Sequence, residues 1–451
     1  LSAALILLLV VVVATPIVMT IRFNRRARKS GLRAIDLGVA FVWVVFLYAF
    51  LPLLGILLAQ MGVGALQDQR LGNDIPESAL VVSVAASHAA FMLAFAWAYL
   101  RQRTLPSGGT RLAMQVPTAA DVRFILGLVI GIKLAGVLLR AGLDVQASED
   151  YIGSYTALRD QSLWVQQLSG LLTATDFAAT VLLITTVIAY RPTLSSIVAV
   201  VVVLQIVLAV LGGGSRATAF LCAFAVIAAR SLYDRRQRSV AIFAAAGLAA
   251  FLLAGLVRAG IDASEGSLSL QLLQSGEFLA VYYNSLDLLD RLGDADLASV
   301  RVGMYLVDVL RLIPQQFIGE FKIDPATFYV KTFYPDFSEA GGGLAFGSIA
   351  ESSVGFGWPE ALVRGALLGW LYASIANRCL ASRLTVVRAF VYVWFVVMAY
   401  QSVRDTTFST LPRFAFQVVP LLIVLRIAGV LQGTRRTRSI GPQAPAPLLP
   451  P

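Results

Sequence analysis

The sequence predicts an all-α polytopic membrane protein, and three observations carry that prediction. Of its 451 residues, 58% are hydrophobic and only 14% are charged, against about 25% charged in an average soluble domain. The mean hydropathy is +0.78. Apolar stretches of roughly 18–25 residues recur along the whole chain, each long enough to cross ~30 Å of hydrocarbon.

Taken in order, the stretches give eleven expected spans: 2–21, 35–60, 78–100, 122–143, 166–190, 194–212, 216–233, 239–257, 356–376, 386–404 and 411–431. Basic clusters follow alternate spans: "RFNRRARKSGLR" (22–33), "RQRTLPSGGTR" (101–111), Arg191, "RRQR" (235–238), "NRCLASR" (377–383) and "RRTR" (435–438). All of them fall on one side, which the positive-inside rule makes cytoplasmic. The N-terminus is then expected outside and the C-terminus in the cytoplasm. Residues 1–21 read better as a span than as a cleaved signal peptide, because the basic residues follow the apolar run.

The division that results is 1–257 for spans one to eight, 258–355 for one large outward-facing loop, 356–433 for spans nine to eleven, and 434–451 for a structureless cytoplasmic tail. The tail ends in the proline-rich "GPQAPAPLLPP". The loop holds 13 of the 26 acidic residues, and loops longer than about 15 residues are usually functional. Within it, "FLAVYYNSLDLLDRL" and "VGMYLVDVLRLIP" show apolar residues at helical spacing. Amphipathic helices against the membrane or the bundle are expected there.

Composition excludes several classes. Cys222 and Cys379 sit in or beside apolar runs and suggest no disulfide framework. Neither has metal-ligand spacing and the single histidine is His88, so no metal or other cofactor is expected. The net charge of +10 belongs to the basic loop clusters, so no nucleic-acid partner is expected. His88, near Ser83 and Ser87, reads as a satisfied interhelical hydrogen-bonder. In "DAD" (294–296) the acids read as helix caps after Gly293.

The chemistry-bearing residues are positive charges on the outer side, against the usual bias. Arg216 follows Gly212–Gly214 in the turn before span seven. Arg140 and Arg258 end spans four and eight, and Arg404 and Arg413 flank the 405–410 turn. Convergent arginines suit a diphosphate held by bidentate hydrogen bonds. Each taken alone also fits a side chain that snorkels to lipid headgroups. Lys133 lies deeper, on the same face as Arg140, and Asp176 of span five is its candidate partner.

Two further stretches carry a family resemblance. "YLVDVLRLIPQQFIGEFK" (305–322) and "GGGLAFGSIAESSVGFGWPEALVRGALLGWLYA" (341–373) resemble the Wzy-type O-antigen and exopolysaccharide polymerases. The matching positions are Ile313-Pro314, Lys322, Ser348, Glu351, Phe356-Gly357, Gly365 and Gly369. "GGGSRATAF" is similar to the family's Gly-Ser-Arg segment at Gly214, Ser215 and Arg216. One departure is that Lys322 is followed by Ile323 and Asp324, where the family often has Lys-Pro.

The resemblance implies an architecture similar to the glycosyltransferase-C-like polymerases and O-antigen ligases. It also implies a reaction, metal-independent glycosyl transfer between undecaprenyl-diphosphate-linked oligosaccharides at the outer face of a bacterial cytoplasmic membrane. Glu351 is the expected base, with Arg216, Arg404, Arg258, Arg140, Lys322 and Arg413 expected to bind diphosphate or glycan. Membrane lipids, a chain-length regulator and a flippase are the implied partners. Alternatives remain open at this point. An O-antigen ligase would use a histidine in the large loop, which has none. A metal-dependent enzyme would want an acidic pair in the first outer loop, where Asp68 and Asp74 stand six residues apart. A lipid-linked oligosaccharide flippase or transporter would use a midplane site such as Lys133 with Asp176.

Overall fold

Bilayer hydrocarbon offers a backbone no hydrogen-bond partner, so a chain this apolar is driven into helices that satisfy their own amides. The computed structural model describes residues 3–30, 34–63, 76–105, 113–142, 162–191, 216–233, 277–292, 295–313, 315–318, 323–339, 344–380, 383–431 and 437–439. Six helices come first: α1 (Ala3–Ser30), α2 (Leu37–Gln60), α3 (Ser78–Gln102), α4 (Ala119–Gly142), α5 (Leu163–Tyr190) and α6 (Arg216–Tyr233). The long loop contributes α7 (Glu277–Asp290), α8 (Ala295–Leu310), α9 (Gln315–Ile318), α10 (Pro325–Phe333), α11 (Pro335–Glu339) and α12 (Ser348–Val354). The chain returns through α13 (Trp358–Cys379), α14 (Val386–Met398), α15 (Gln401–Arg404), α16 (Thr410–Gln417) and α17 (Val419–Ile427).

The result is a helical membrane-type bundle with one minute sheet, in which six described segments are long and apolar enough to cross a membrane. These are Ala3–Ala27, Leu37–Gln60, Ser78–Gln102, Gln167–Tyr190, Val386–Arg404 and Thr410–Ile427. Helices α4, α6 and α13 also coincide with expected spans but differ in character. Helix α4 carries Arg123 and Lys133, α6 is apolar only over Leu221–Tyr233, and α13 holds Glu360, Arg364 and Asn377. The expected spans 194–212 and 239–257 lie outside the described residues. The last two expected spans are interrupted rather than continuous. The break at Val418 fits Pro420, which sits in the first turn of α17 and has no amide proton to donate.

Helices α3 and α13 form the spine. Gly365 and Gly369 lie against the backbone of Phe91 and Phe95, so close that a Cβ at either would collide with a carbonyl. Such small-residue contacts let transmembrane backbones approach. Asn377, further along α13, donates to the Gln102 carbonyl at 2.9 Å, so the two helices run parallel.

One end of this spine gathers segments that follow or contain the basic clusters. Arg103 pairs with Asp36 at 3.3 Å and both side chains are only 1% exposed. The same guanidinium donates to Asn377 at 2.8 Å. Asp36 also caps α2 by accepting from the amides of Gly38 and Val39. Here β1 (Ala113–Gln115) pairs in parallel with β2 (Arg383–Leu384) and antiparallel with β3 (Thr437–Ser439). Residues 437–439, expected within the structureless tail, are therefore a strand.

The opposite end receives the loop. Helix α7 packs into the bundle, with Phe278 edge-on to Tyr48 at 4.7 Å and Tyr282 stacked on His88 at 5.2 Å. His88 is buried, as expected. Its Nδ1 donates to the Val84 carbonyl of its own helix at 3.0 Å, and among the described residues its contact with another element is the stack. Lys133 and Asp176 join α4 to α5, with Nζ and Oδ1 2.9 Å apart.

Candidate functional site

The local sequence turns Glu351 inward. Gly347 (φ +102°) and Gly357 (φ +67°) bracket α12 in left-handed conformations that a side chain would strain. The stretch leading in is held by Asn284 of α7, whose amide donates to the carbonyls of Ala345 and Phe346. The Glu351 side chain that emerges is 1% exposed.

An ionic network closes around it. Glu351 Oε1 lies 2.9 Å from Arg364 Nη1, and Oε2 accepts from the amide and hydroxyl of Thr407 at 2.9 and 2.8 Å. Arg364 Nε reaches Glu360 Oε1 at 2.6 Å, one helical turn back on α13. Its guanidinium also lies over the Tyr305 ring, 5.7 Å from the centroid. Glu360 Oε2 accepts from the Tyr305 hydroxyl and the Phe356 amide, each at 2.9 Å. Arg364 thus bridges two carboxylates from different elements.

A second arginine organises the other half. Arg311, just past α8, meets Asp405 through both terminal nitrogens at 3.0 and 3.2 Å, a bidentate fork. It also pairs with Asp324 at 2.8 Å. Arg413 of α16 reaches Asp405 at 3.2 Å. Asp308 accepts from the Thr406 hydroxyl and from the Phe408 amide, the latter at 3.2 Å. The 405–410 turn is therefore held by carboxylates and arginines from α8 and the residue just past it, α12 and α16, with Arg364 of α13 behind Glu351. Because α13 runs parallel to α3, its first turn and this network lie at the end of the spine opposite the strands.

Burial dominates the electrostatics. It pushes the Glu351 carboxyl up from 4.5 to about 7, against the pull of Arg364 and the two Thr407 donors and with help from Asp308. Burial raises Asp308 as well. A carboxyl whose pKa is higher folded than unfolded binds more protons when folded. Its contribution to stability is full below about 4.5 and is lost as pH rises through about 7. The slope is at most about 1.4 kcal/mol per pH unit per group. Melting temperature in detergent should thus fall between these limits, and Glu351→Gln should flatten that fall. An equally steep fall in the variant would show that Glu351 does not titrate there.

No family model, curated protein or solved structure matches this chain. The site has to be read from its own chemistry. Of the residues singled out in the sequence, Glu351 and Arg413 both hold the 405–410 turn, and Arg404 directly precedes it. Arg216 is the first residue of α6 and Arg140 lies in the last turn of α4, but their side chains are outside the described residues. Arg258, Lys322, Asp294 and Gly212–Gly214 also lie outside them.

Glu351, the expected base, is held here by an ion pair and hydrogen bonds. A general base must reach the proton that it removes, and here both oxygens are engaged by Arg364 and Thr407. In this arrangement Glu351 positions the 405–410 turn. The sequence reading missed Arg364, Glu360, Asp308, Arg311 and Asp405. Two spacings carried a signal. Glu360 and Arg364 stand four apart and Asp308 and Arg311 three apart, each pair facing one way on a helix.

Proposed function

We propose that this protein is a membrane glycosyltransferase that lengthens a glycan carried on a lipid diphosphate, the repeat-unit polymerase reaction. The observation that carries the reading is the convergence of Arg311 and Arg413 on Asp405, the residue that follows Arg404, on the loop-bearing end of the bundle. A diphosphate leaving group needs charge stabilisation more than protonation, and forked guanidinium groups supply it. Asp405 occupies the fork of Arg311 and one nitrogen of Arg413 in the free protein, and the donor diphosphate takes its place in the complex. The acceptor hydroxyl then attacks the anomeric carbon as the bond to the diphosphate breaks. Asp405, released from its arginines, takes the hydroxyl proton. Glu351 holds the turn through Thr407 throughout. The donor and acceptor are undecaprenyl-diphosphate-linked oligosaccharides at the outer face of the bacterial cytoplasmic membrane, with a flippase supplying them and a chain-length regulator acting on the product.

A transporter is the second reading, favoured by the Lys133–Asp176 ion pair between two expected spans. The polysaccharide ladder on a gel separates the two. Arg404→Ala and Arg413→Ala should leave lipid-linked single repeats at normal protein level, and Arg→Lys should restore only part of the polymer. Blocked export would favour the transporter. Full-length polymer in the double alanine variant would remove the arginines from the reaction.

A further inference from the structure

Helix α8 has two faces, and the ionic network takes one of them together with Tyr305 at the edge of the other. Met304 and Val307 are 2% and 1% exposed, and Asp308 and Arg311 project with them into the network. Around the remaining arc, Val302 is 72% exposed, Val309 61% and Leu306 49%, with Tyr305 and Leu312 also open. At 100° per residue the four on α8 fall within about a third of a turn, and Leu312 follows just past its end. An apolar arc of this kind on an extramembrane helix marks an interaction surface.

We infer that α8 is a membrane-surface helix whose 302–312 arc is embedded in the headgroup–acyl boundary of the bilayer. Continuity with the flank of the bundle identifies the occupant. Tyr305, on the arc, donates to Glu360 in the first turn of α13. From there the exposed residues Leu362, Val363, Leu367 and Trp370 continue along α13, which lies against the membrane-length helix α3. Trp358, 54% exposed, stands at the junction, where amphipathic aromatic rings suit the interface. With one face in lipid, α8 sets its opposite face, and so Arg311, at headgroup depth. This placement does not depend on which group the protein transfers.

Collisional quenching tests it. Val302→Cys, Leu306→Cys and Val309→Cys are each labelled with bimane, beside a Lys331→Cys control on the exposed surface of α10. The full chain is reconstituted in phosphatidylethanolamine–phosphatidylglycerol vesicles containing dibrominated phosphatidylcholine. The three α8 labels should be quenched by brominated lipid several-fold more than the control, and by aqueous iodide several-fold less. Iodide quenching equal to the control would place α8 in water. Protection from both quenchers would mean that protein, a second copy or another chain, covers the arc. Either result overturns the inference.

Discussion

Replacing Arg364 with leucine should remove most of the folded protein from the membrane. Its side chain is 10% exposed and holds Glu351 at 2.9 Å and Glu360 at 2.6 Å. Without it two carboxylates stay in a poorly solvated site with no cation between them. Breaking a buried pair in this way costs about 3–5 kcal/mol, a large part of a total stability of about 5–15 kcal/mol. Loss of charge rather than loss of volume is the cause, so the triple variant Arg364→Leu with Glu351→Gln and Glu360→Gln should recover much of the melting temperature. Acid should also help the single variant, because protonating Glu351 removes one uncompensated charge. Arg364→Lys should be intermediate, since an ammonium cannot span both carboxylates as a guanidinium does. Melting curves of detergent-solubilised protein at pH 5 and pH 8 check all three. A single leucine variant that melts with the wild type at both pH values would show that water already solvates the network.

Gly365→Leu and Gly369→Leu should each loosen the spine, and together they should abolish folding. A side chain at either position has only the carbonyl of Phe91 or Phe95 to move against, and backbone cannot yield as a side-chain tip can. Overpacking costs typically about 1–3 kcal/mol, and more where nothing can shift. Gly365 directly follows Arg364, so a displaced α13 also draws the guanidinium away from Glu351. The two defects should therefore appear together, as a lower melting temperature and a loss of stability with rising pH that extends to higher pH, because Arg364 holds the Glu351 pKa down. Gly127 in α4, with nothing within 4 Å of a built Cβ, is the control. Gly127→Ala should change stability by no more than about 1 kcal/mol, in the stabilising direction. Equal losses at Gly127 and Gly365 would refute close approach as the reason for the α13 glycines.

The particular residues show where sequence reasoning reached. Lys133 and Asp176 could be paired on paper because an isolated charge within an apolar run demands a partner, and each run offered few. His88 could be read as a core residue for the same reason, although its stack on Tyr282 could not. The basic clusters predicted a shared side, and the segments beside three of them, 113–115, 383–384 and 437–439, do pair. Glu351 pairs with an arginine that the sequence reading did not single out. That partner, Arg364, lies inside an expected span, where apolar neighbours hid it.

Hydropathy and helical period act along the chain. They determined the helical class, the position of the six membrane-length helices, and the loop helices that carry an apolar face. Tertiary structure alone decided which face of each helix is covered, and so which charges meet. Asp405 finds Arg311 across 94 residues, and Thr407 finds Glu351 across 56. No local pattern encodes those pairs. They form because the α3–α13 glycine contact brings α13 down beside the loop, and burial there leaves each charged group only its neighbours as solvent.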